Sequence, residues 1–178
     1  MSAADQSLDH LLEEVRACNL CAASLPLGPR PTLAAAPGAR ILIIGQAPGT
    51  KVHATGIPWN DPSGERLRGW LGVAPGDFYD PSKFAIIPMG FCYPGRLPRG
   101  GDAPPRPECA PAWHQRLLAA LPKFALTVLI GMYAQNYYLE GRRRTLTETV
   151  GAWRRFGPDI IPTPHPSWRT TAWQKKHA

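Results

Sequence analysis

The chain has 178 residues, 44% of them hydrophobic, which is the make-up of a globular domain with a sizeable core and not of a disordered segment. No run of about 18 apolar residues occurs, which excludes a membrane-spanning helix, and the acid-bearing start MSAADQSLDHLLEEV does not have the layout of a secretory signal, so the cytoplasm is the expected compartment. Twenty Lys and Arg against thirteen Asp and Glu give a net charge of +7, which suits an anionic partner, commonly nucleic acid, and on charge alone suits a plain basic soluble protein as well.

In chain order, residues 6–17 (QSLDHLLEEVRA) repeat Leu8, Leu11, Leu12 and Val15 at helical spacing and predict an amphipathic helix. A loop-like stretch follows from Cys18 to Pro37. Arg40 to Gly45 (RILIIG) is a short β-branched run ending in Gly, the pattern of a buried strand. Residues 65–72 read as a helix and 84–88 as a second strand. Residues 111–121 form a helix that starts on Pro, 126–131 a third strand, 132–139 the beginning of another helix, and 159–163 a fourth strand. Four short apolar strands alternating with helices predict one α/β domain over residues 1–178 with a mainly parallel sheet. In such sheets ligands bind beyond the carboxyl ends of the strands. The segments that leave those ends begin at Gln46, Met89 and Pro164.

Four cysteines are present. Cys18 and Cys21 form C-x2-C in a loop, and Cys92 and Cys109 flank the Pro/Gly/Arg-rich residues 93–108. An even set that includes C-x2-C, in a cytosolic chain where structural disulfides are rare, suggests a metal site. Four thiolates suit a tetrahedral zinc or a [4Fe–4S] cluster, and the spacing does not choose between them. The plain alternative is two unrelated buried cysteines and a chance pair.

The turn after the first strand is not a phosphate loop. That motif has four residues between its glycines, then Lys and Ser/Thr. Here three residues separate Gly45 from Gly49, and Thr50 precedes Lys51. Further on, Trp59 sits at the expected edge of the sheet and can offer its face to a flat ligand such as a nucleobase. Asp61 can orient or deprotonate water. Each has a structural alternative: Trp59 as a packing residue, and Asp61 as the cap of the helix that DPSGE opens. His165 lies between Pro164 and Pro166 after the fourth strand, so its backbone is restricted on both sides. Downstream, Trp168, Arg169, Trp173, Lys175 and Lys176 interleave aromatic and basic residues, which suits a DNA backbone and unstacked bases.

GQAPG after the first strand, GIPWNDPSG a few residues on, C-x2-C with C-x16-C, and PHPS after the last strand together resemble the uracil-DNA glycosylase superfamily, in its iron–sulfur bacterial and archaeal branches. The likeness runs from Cys18 to about Arg169. It implies a three-layer α/β/α fold around a four-stranded sheet. It also implies that Cys18, Cys21, Cys92 and Cys109 hold a [4Fe–4S] cluster, with structural zinc as the alternative. Trp59 stands where the family has a Phe that stacks on the flipped base. His165 matches the histidine that hydrogen-bonds the departing base. Gln46 and Ala47 match the turn facing the scissile bond, where the iron–sulfur relatives usually carry Glu at the place of Gln46. Ser167 matches the loop that presses on the phosphates, with Arg169, Lys175 and Lys176 as further DNA contacts. The relatives also read the uracil edge with an Asn four residues before the third cysteine. Pro88 stands there, followed by Met89, and Asn60 is the amide left for that role. Trp59, Asn60, Ala47 and Met89 are therefore the expected base-binding residues. Gln46 cannot take a proton, so Asp61, the nearest carboxylate in sequence, is the expected general base or electrostatic stabiliser beside His165 and Gln46. Residues 93–108 contain no His, so the covalent trapping that one branch performs through that loop is not expected.

These features predict a monomeric, monofunctional DNA glycosylase of base-excision repair, bacterial and nucleoid-associated. Its partner would be DNA bearing uracil or a related deaminated or modified base. A glycosylase-fold DNA-binding protein with weak or no catalysis is the alternative, and a zinc-stabilised protein with no DNA role is the third reading.

Overall fold

The structure, a computed structural model, describes residues 3–142 and 145–177; for 3–7, Arg169 and His177 it describes the backbone only. Strands β1 (Ile41–Ile44), β2 (Phe84–Ile86), β3 (Leu126–Ile130) and β4 (Ile160–Thr163) form one sheet in the order β2-β1-β3-β4. All its pairings are parallel, with Ile43 opposite Ile86 on one side and Val128 on the other, and Val128 opposite Ile161. The expected α/β sheet is thus present, with each strand within a residue or two of its predicted bounds. Pro162 lies in β4, which pairs only with β3. A proline that cannot donate to the ladder is tolerated at such an edge.

Side chains alternate strictly between the two faces of the sheet. Leu42, Ile44, Ala85, Ile87 and Leu129 enter one core with Leu8, Leu11, Leu12 and Val15 of α1 (Ala3–Arg16) and Leu117 of α5 (Cys109–Ala120). Ile43, Phe84, Ile86, Val128 and Ile130 enter the other, under Leu67 of α3 (Pro62–Leu71) and Phe78 of α4 (Pro75–Phe78). Burying each such Leu or Ile contributes about 1.5–3 kcal/mol, which is why strands buried on both faces read as continuous apolar runs. Helices α2 (Thr50–Thr55), α6 (Gly131–Tyr138), α7 (Leu146–Gly151) and α8 (Thr171–His177) complete the described elements. No helix among the described residues is long and apolar enough to cross a membrane.

Four helices were not predicted: α2, α4, α7 and α8. In α2 only Val52 is buried, and six residues are too few to show a helical period. The start of α7 did carry a signal: Thr145 and Glu148 form a reciprocal capping box.

Two buried polar side chains tie the sheet's carboxyl edge together. The Gln135 amide on α6 donates to the carbonyls of Leu129 (3.2 Å) and Thr163 (2.8 Å), clamping the ends of β3 and β4. His114 on α5 is 1% exposed and lies against the carbonyl of Pro88 through Nε2 (3.0 Å) and the Tyr138 hydroxyl through Nδ1. Its ring stacks on Phe91 at 12°. A carbonyl only accepts, so Nε2 carries the proton and Nδ1 accepts from tyrosine. Burial pushes the His114 pKa down to about 4, with the bond to Pro88 pulling the other way.

A histidine that titrates near 4 when folded and near 6.5 when unfolded leaves the unfolded chain holding more protons between those values. Its contribution is complete above pH 6.5 and is lost as pH falls toward 4. Going from pH 7 to pH 5 should therefore cost about 2 kcal/mol through this residue. Urea midpoints at the two pH values should show that loss, and it should shrink in His114→Gln, which keeps a donor for Pro88 but does not titrate. An unchanged pH difference in that variant would refute the assignment.

Candidate active site

One pocket of about 320 Å³ opens at the carboxyl edge of the sheet. Its walls come from the segments after β1, β2 and β4, from the residues leading into α3, and from the loop 93–108. The first wall begins where β1 ends. Gly45 and Gln46 accept backbone hydrogen bonds from Met89 (2.9 Å) and Gly90 (3.0 Å), which continue the β1–β2 pairing past the strands and aim the next residues at the pocket. The Gln46 amide nitrogen donates to the carbonyl of Ala103 (3.1 Å). That bond assigns the amide's orientation and leaves its oxygen as the remaining acceptor. Ala47 lines the same wall.

Trp59 supplies the second wall. Its φ of 56° is left-handed, a conformation that costs a non-glycine residue about 1–3 kcal/mol. The carbonyl is held by Arg68 (3.3 Å) and the Tyr79 hydroxyl (3.2 Å). Two glycines make room for it. A Cβ on Gly64 would lie 1.7 Å from the Trp59 carbonyl oxygen, and one on Gly45 would lie 2.6 Å from the indole Cζ2. The indole therefore rests on the end of β1, with its ring centroid 5.7 Å from that of His165 at 34°.

Asp61 is both cap and pocket residue. Its Oδ1 accepts from the Gly64 N–H (2.8 Å) at the start of α3, while Oδ2 faces Gly49 across the pocket. Asp61 thus caps α3 and also lines the pocket.

His165 follows β4. The Thr170 hydroxyl lies 2.7 Å from the carbonyls of both His165 and Ser167, and Arg66 donates to that of Pro166 (3.4 Å). Burial lowers the imidazole's pKa, and the Asp61 carboxylate partly offsets that. The shift favours the neutral ring, which presents one N–H donor.

Of the sequence-predicted residues, Gln46, Ala47, Trp59, Asp61, His165 and Ser167 converge on this pocket. Two expected base contacts do not. Met89 is 6% exposed and belongs to the α1-side core, because its N–H is drawn into the pairing with Gly45. Asn60 is exposed outside the pocket lining, since the left-handed turn at Trp59 points the next residue outward. Lys175 and Lys176 are exposed on α8, and the Arg169 side chain lies outside the described residues. Sequence reasoning missed Asp102, which lines the pocket opposite Asp61. The only hint was its place after Gly100-Gly101, both at positive φ in a tight turn that pairs residue 96 with 102.

The four cysteines are free and line one small cavity with Leu25, Phe91 and Trp113. Burial pushes the Cys109 thiol up to about 12, with Cys92, Cys21 and Cys18 adding to the rise and the Phe91 N–H (3.4 Å from Sγ) opposing it. Burial also raises Cys92 and Cys21, with Glu108 adding to the rise at Cys21. The shared cavity places all four thiols together. Among the described residues, no group of three or more His, Cys, Asp or Glu side chains is arranged to hold a metal ion.

A parallel α/β sheet with a pocket at its carboxyl edge, lined by Trp59, His165 and the carboxylates of Asp61 and Asp102, has the layout in which such folds bind ligands. The chain belongs to the uracil DNA glycosylase superfamily, whose sequence pattern matches residues 33–178. Membership implies a DNA glycosylase type of function: hydrolysis of N-glycosyl bonds, with DNA as substrate.

The glycine pair of α3 offers a test of how Trp59 is held. Gly64→Ala should destabilise the protein by about 3 kcal/mol or more, because backbone must move to admit the methyl. Gly69→Ala, where nothing lies within 4 Å of the added carbon, should be neutral or stabilise by up to about 1 kcal/mol. Thermal melts of the two variants read the difference directly, and equal effects would show that the Trp59 carbonyl is not tightly seated.

Proposed function

We propose that this chain is a monofunctional DNA glycosylase of base-excision repair. It would hydrolyse the N-glycosidic bond of uracil, or of a related deaminated or modified base, after turning the nucleotide out of the helix. The observation that carries this reading is the meeting of Trp59 and His165, 5.7 Å apart, over a pocket floored by the Gln46 turn. A flat base would stack on the indole. Breaking the bond leaves negative charge on the base, and a neutral imidazole N–H aimed at it stabilises that charge without first losing a proton. On the sugar's other face, the Gln46 oxygen orients water, and Asp61 stabilises the cationic sugar or takes the proton. Exposed Lys175 and Lys176 would meet the DNA backbone.

Cys18, Cys21, Cys92 and Cys109 would hold a [4Fe–4S] cluster. Zinc, with bonds of about 2.3 Å, needs its four sulfurs within about 3.8 Å of one another. All four thiols line one cavity, which offers four sulfur ligands to either group, and the resemblance to the iron–sulfur branches favours the cluster. The cluster would serve as a structural anchor, tying the segment after α1 to both ends of the loop 93–108. A second reading, a DNA-binding member with little base release, draws on Pro88, which lines the pocket and offers no side-chain donor or acceptor.

Protein purified anaerobically should be brown, contain iron and sulfide, and bleach on oxidation. Cys109→Ser should lower the iron content and the melting temperature together. Colourless protein with one zinc per chain would refute the cluster.

Oligonucleotides carrying single uracil, hypoxanthine, xanthine or modified pyrimidines, single- and double-stranded, test the activity through alkali-labile strand cleavage. His165→Ala and Asp61→Asn should each lower the single-turnover rate by about a hundredfold. Asn still caps α3, so the second variant removes charge without removing the cap. Salt-dependent DNA binding with no cleavage on any substrate would favour the second reading.

A further inference from the structure

We propose that Asp102 is a further catalytic residue, the carboxylate that accepts the proton of the attacking water. The inference rests on the glycosylase reading above and sharpens its account of the water side. Gln46 can orient water through its oxygen but cannot accept a proton. Asp61 has one oxygen committed to the Gly64 N–H, and its charge acts on the half-buried ring of His165. Asp61 is therefore placed to act through its charge, with its second oxygen facing Gly49 across the pocket.

Asp102 comes from the opposite wall. Its Oδ2 lies 3.5 Å from the point where a Cβ on Gly49 would stand, and the Asp61 Oδ2 lies 4.0 Å from that same point. Both carboxylates therefore converge on the space kept open by a residue without a side chain. A larger residue at 49 would grow into it. The next residue along, Ala103, holds the Gln46 amide through its carbonyl. One segment thus carries the carboxylate and orients the group that would share its water. That segment is fixed: Leu97 bonds back to Gly101 (2.9 Å) and Ala103 to Gly95 (2.8 Å).

In the step assigned to it, the oxygen of water forms a bond to C1′ of the deoxyribose. The C1′–N bond breaks, and its electron pair leaves with the base as an anion facing His165. The proton of the water passes to the Asp102 carboxylate. The Asp61 carboxylate offsets the positive charge on the sugar. Atoms and charge balance without any further reactant.

The test uses the full-length protein with its metal content verified. Three measurements are made on wild type, Asp102→Asn and Asp102→Ala. They are the single-turnover rate on the best substrate of the panel, affinity for a duplex carrying the uncleavable 2′-fluoro form of that nucleotide, and the rate of Asp102→Ala with added formate. The expected result is a rate about a hundredfold lower in Asp102→Asn, with affinity within a few fold of wild type and the same melting temperature. Formate should restore part of the lost rate in Asp102→Ala. An active wild type with an equally active Asp102→Asn would overturn the inference alone. So would a variant that loses rate and affinity together and gains nothing from formate, since that is a loop-folding effect. A wild-type protein that releases no base from any substrate would overturn the glycosylase reading, and this inference with it.

Discussion

The indole of Trp59 lies on the bare backbone of Gly45, and the geometry of the pocket is set from that contact. It places a side chain from one segment against the last residue of another, at the point where β1 leaves the core. The peptide of Trp59 is left-handed and strained, so it must be held from outside. Gly64 lets the first turn of α3 close over its carbonyl, and Arg68 and Tyr79 bind that carbonyl. The direction in which Asp61 enters the pocket follows, because Asp61 opens the same helix two residues later. The residues at 45 and 64 thus act by what they lack.

The opposite side of the pocket is organised differently. Residues 93–108 hold themselves through short backbone bonds and reach the first wall through the contact of Gln46 with Ala103. Their two ends, Cys92 and Cys109, face the same cavity as Cys18 and Cys21. Phe91 connects the two regions: its N–H meets the Cys109 sulfur, and its ring stacks on His114, which in turn holds the carbonyl of Pro88 in the pocket wall. The thiol cavity and the candidate active site are therefore joined by packed, hydrogen-bonded groups.

Much of this was legible in the sequence, for physical reasons. Parallel strands buried on both faces leave unbroken apolar runs, so all four were visible. Gln46, Trp59 and His165 were visible because each sits where a strand ends or between residues that restrict the backbone. Asp102 was not, because nothing local marks a carboxylate that folds across 41 residues of chain to face Asp61. Met89 and Asn60 misled for a related reason. Which face a residue next to a strand end presents depends on backbone direction: the pairing of Met89 with Gly45 and the left-handed turn at Trp59 are tertiary facts. Helix α2 was too short to show a period, and α7 showed only its cap.

The placing of Cys92 and Cys109 has a consequence for how such a protein changes over generations. A loop whose two ends meet has already met most of the entropy of closure, and each doubling of its length then adds only about 0.6 kcal/mol. Tyr93 to Gly95 are buried, but the exposed residues 96–99 can be exchanged at little cost to the strand before them or the helix after them. That stretch of the wall that carries Asp102 is in that sense a replaceable cassette. New pocket chemistry can be tried there while the sheet, the tryptophan seat and the histidine stay where they are.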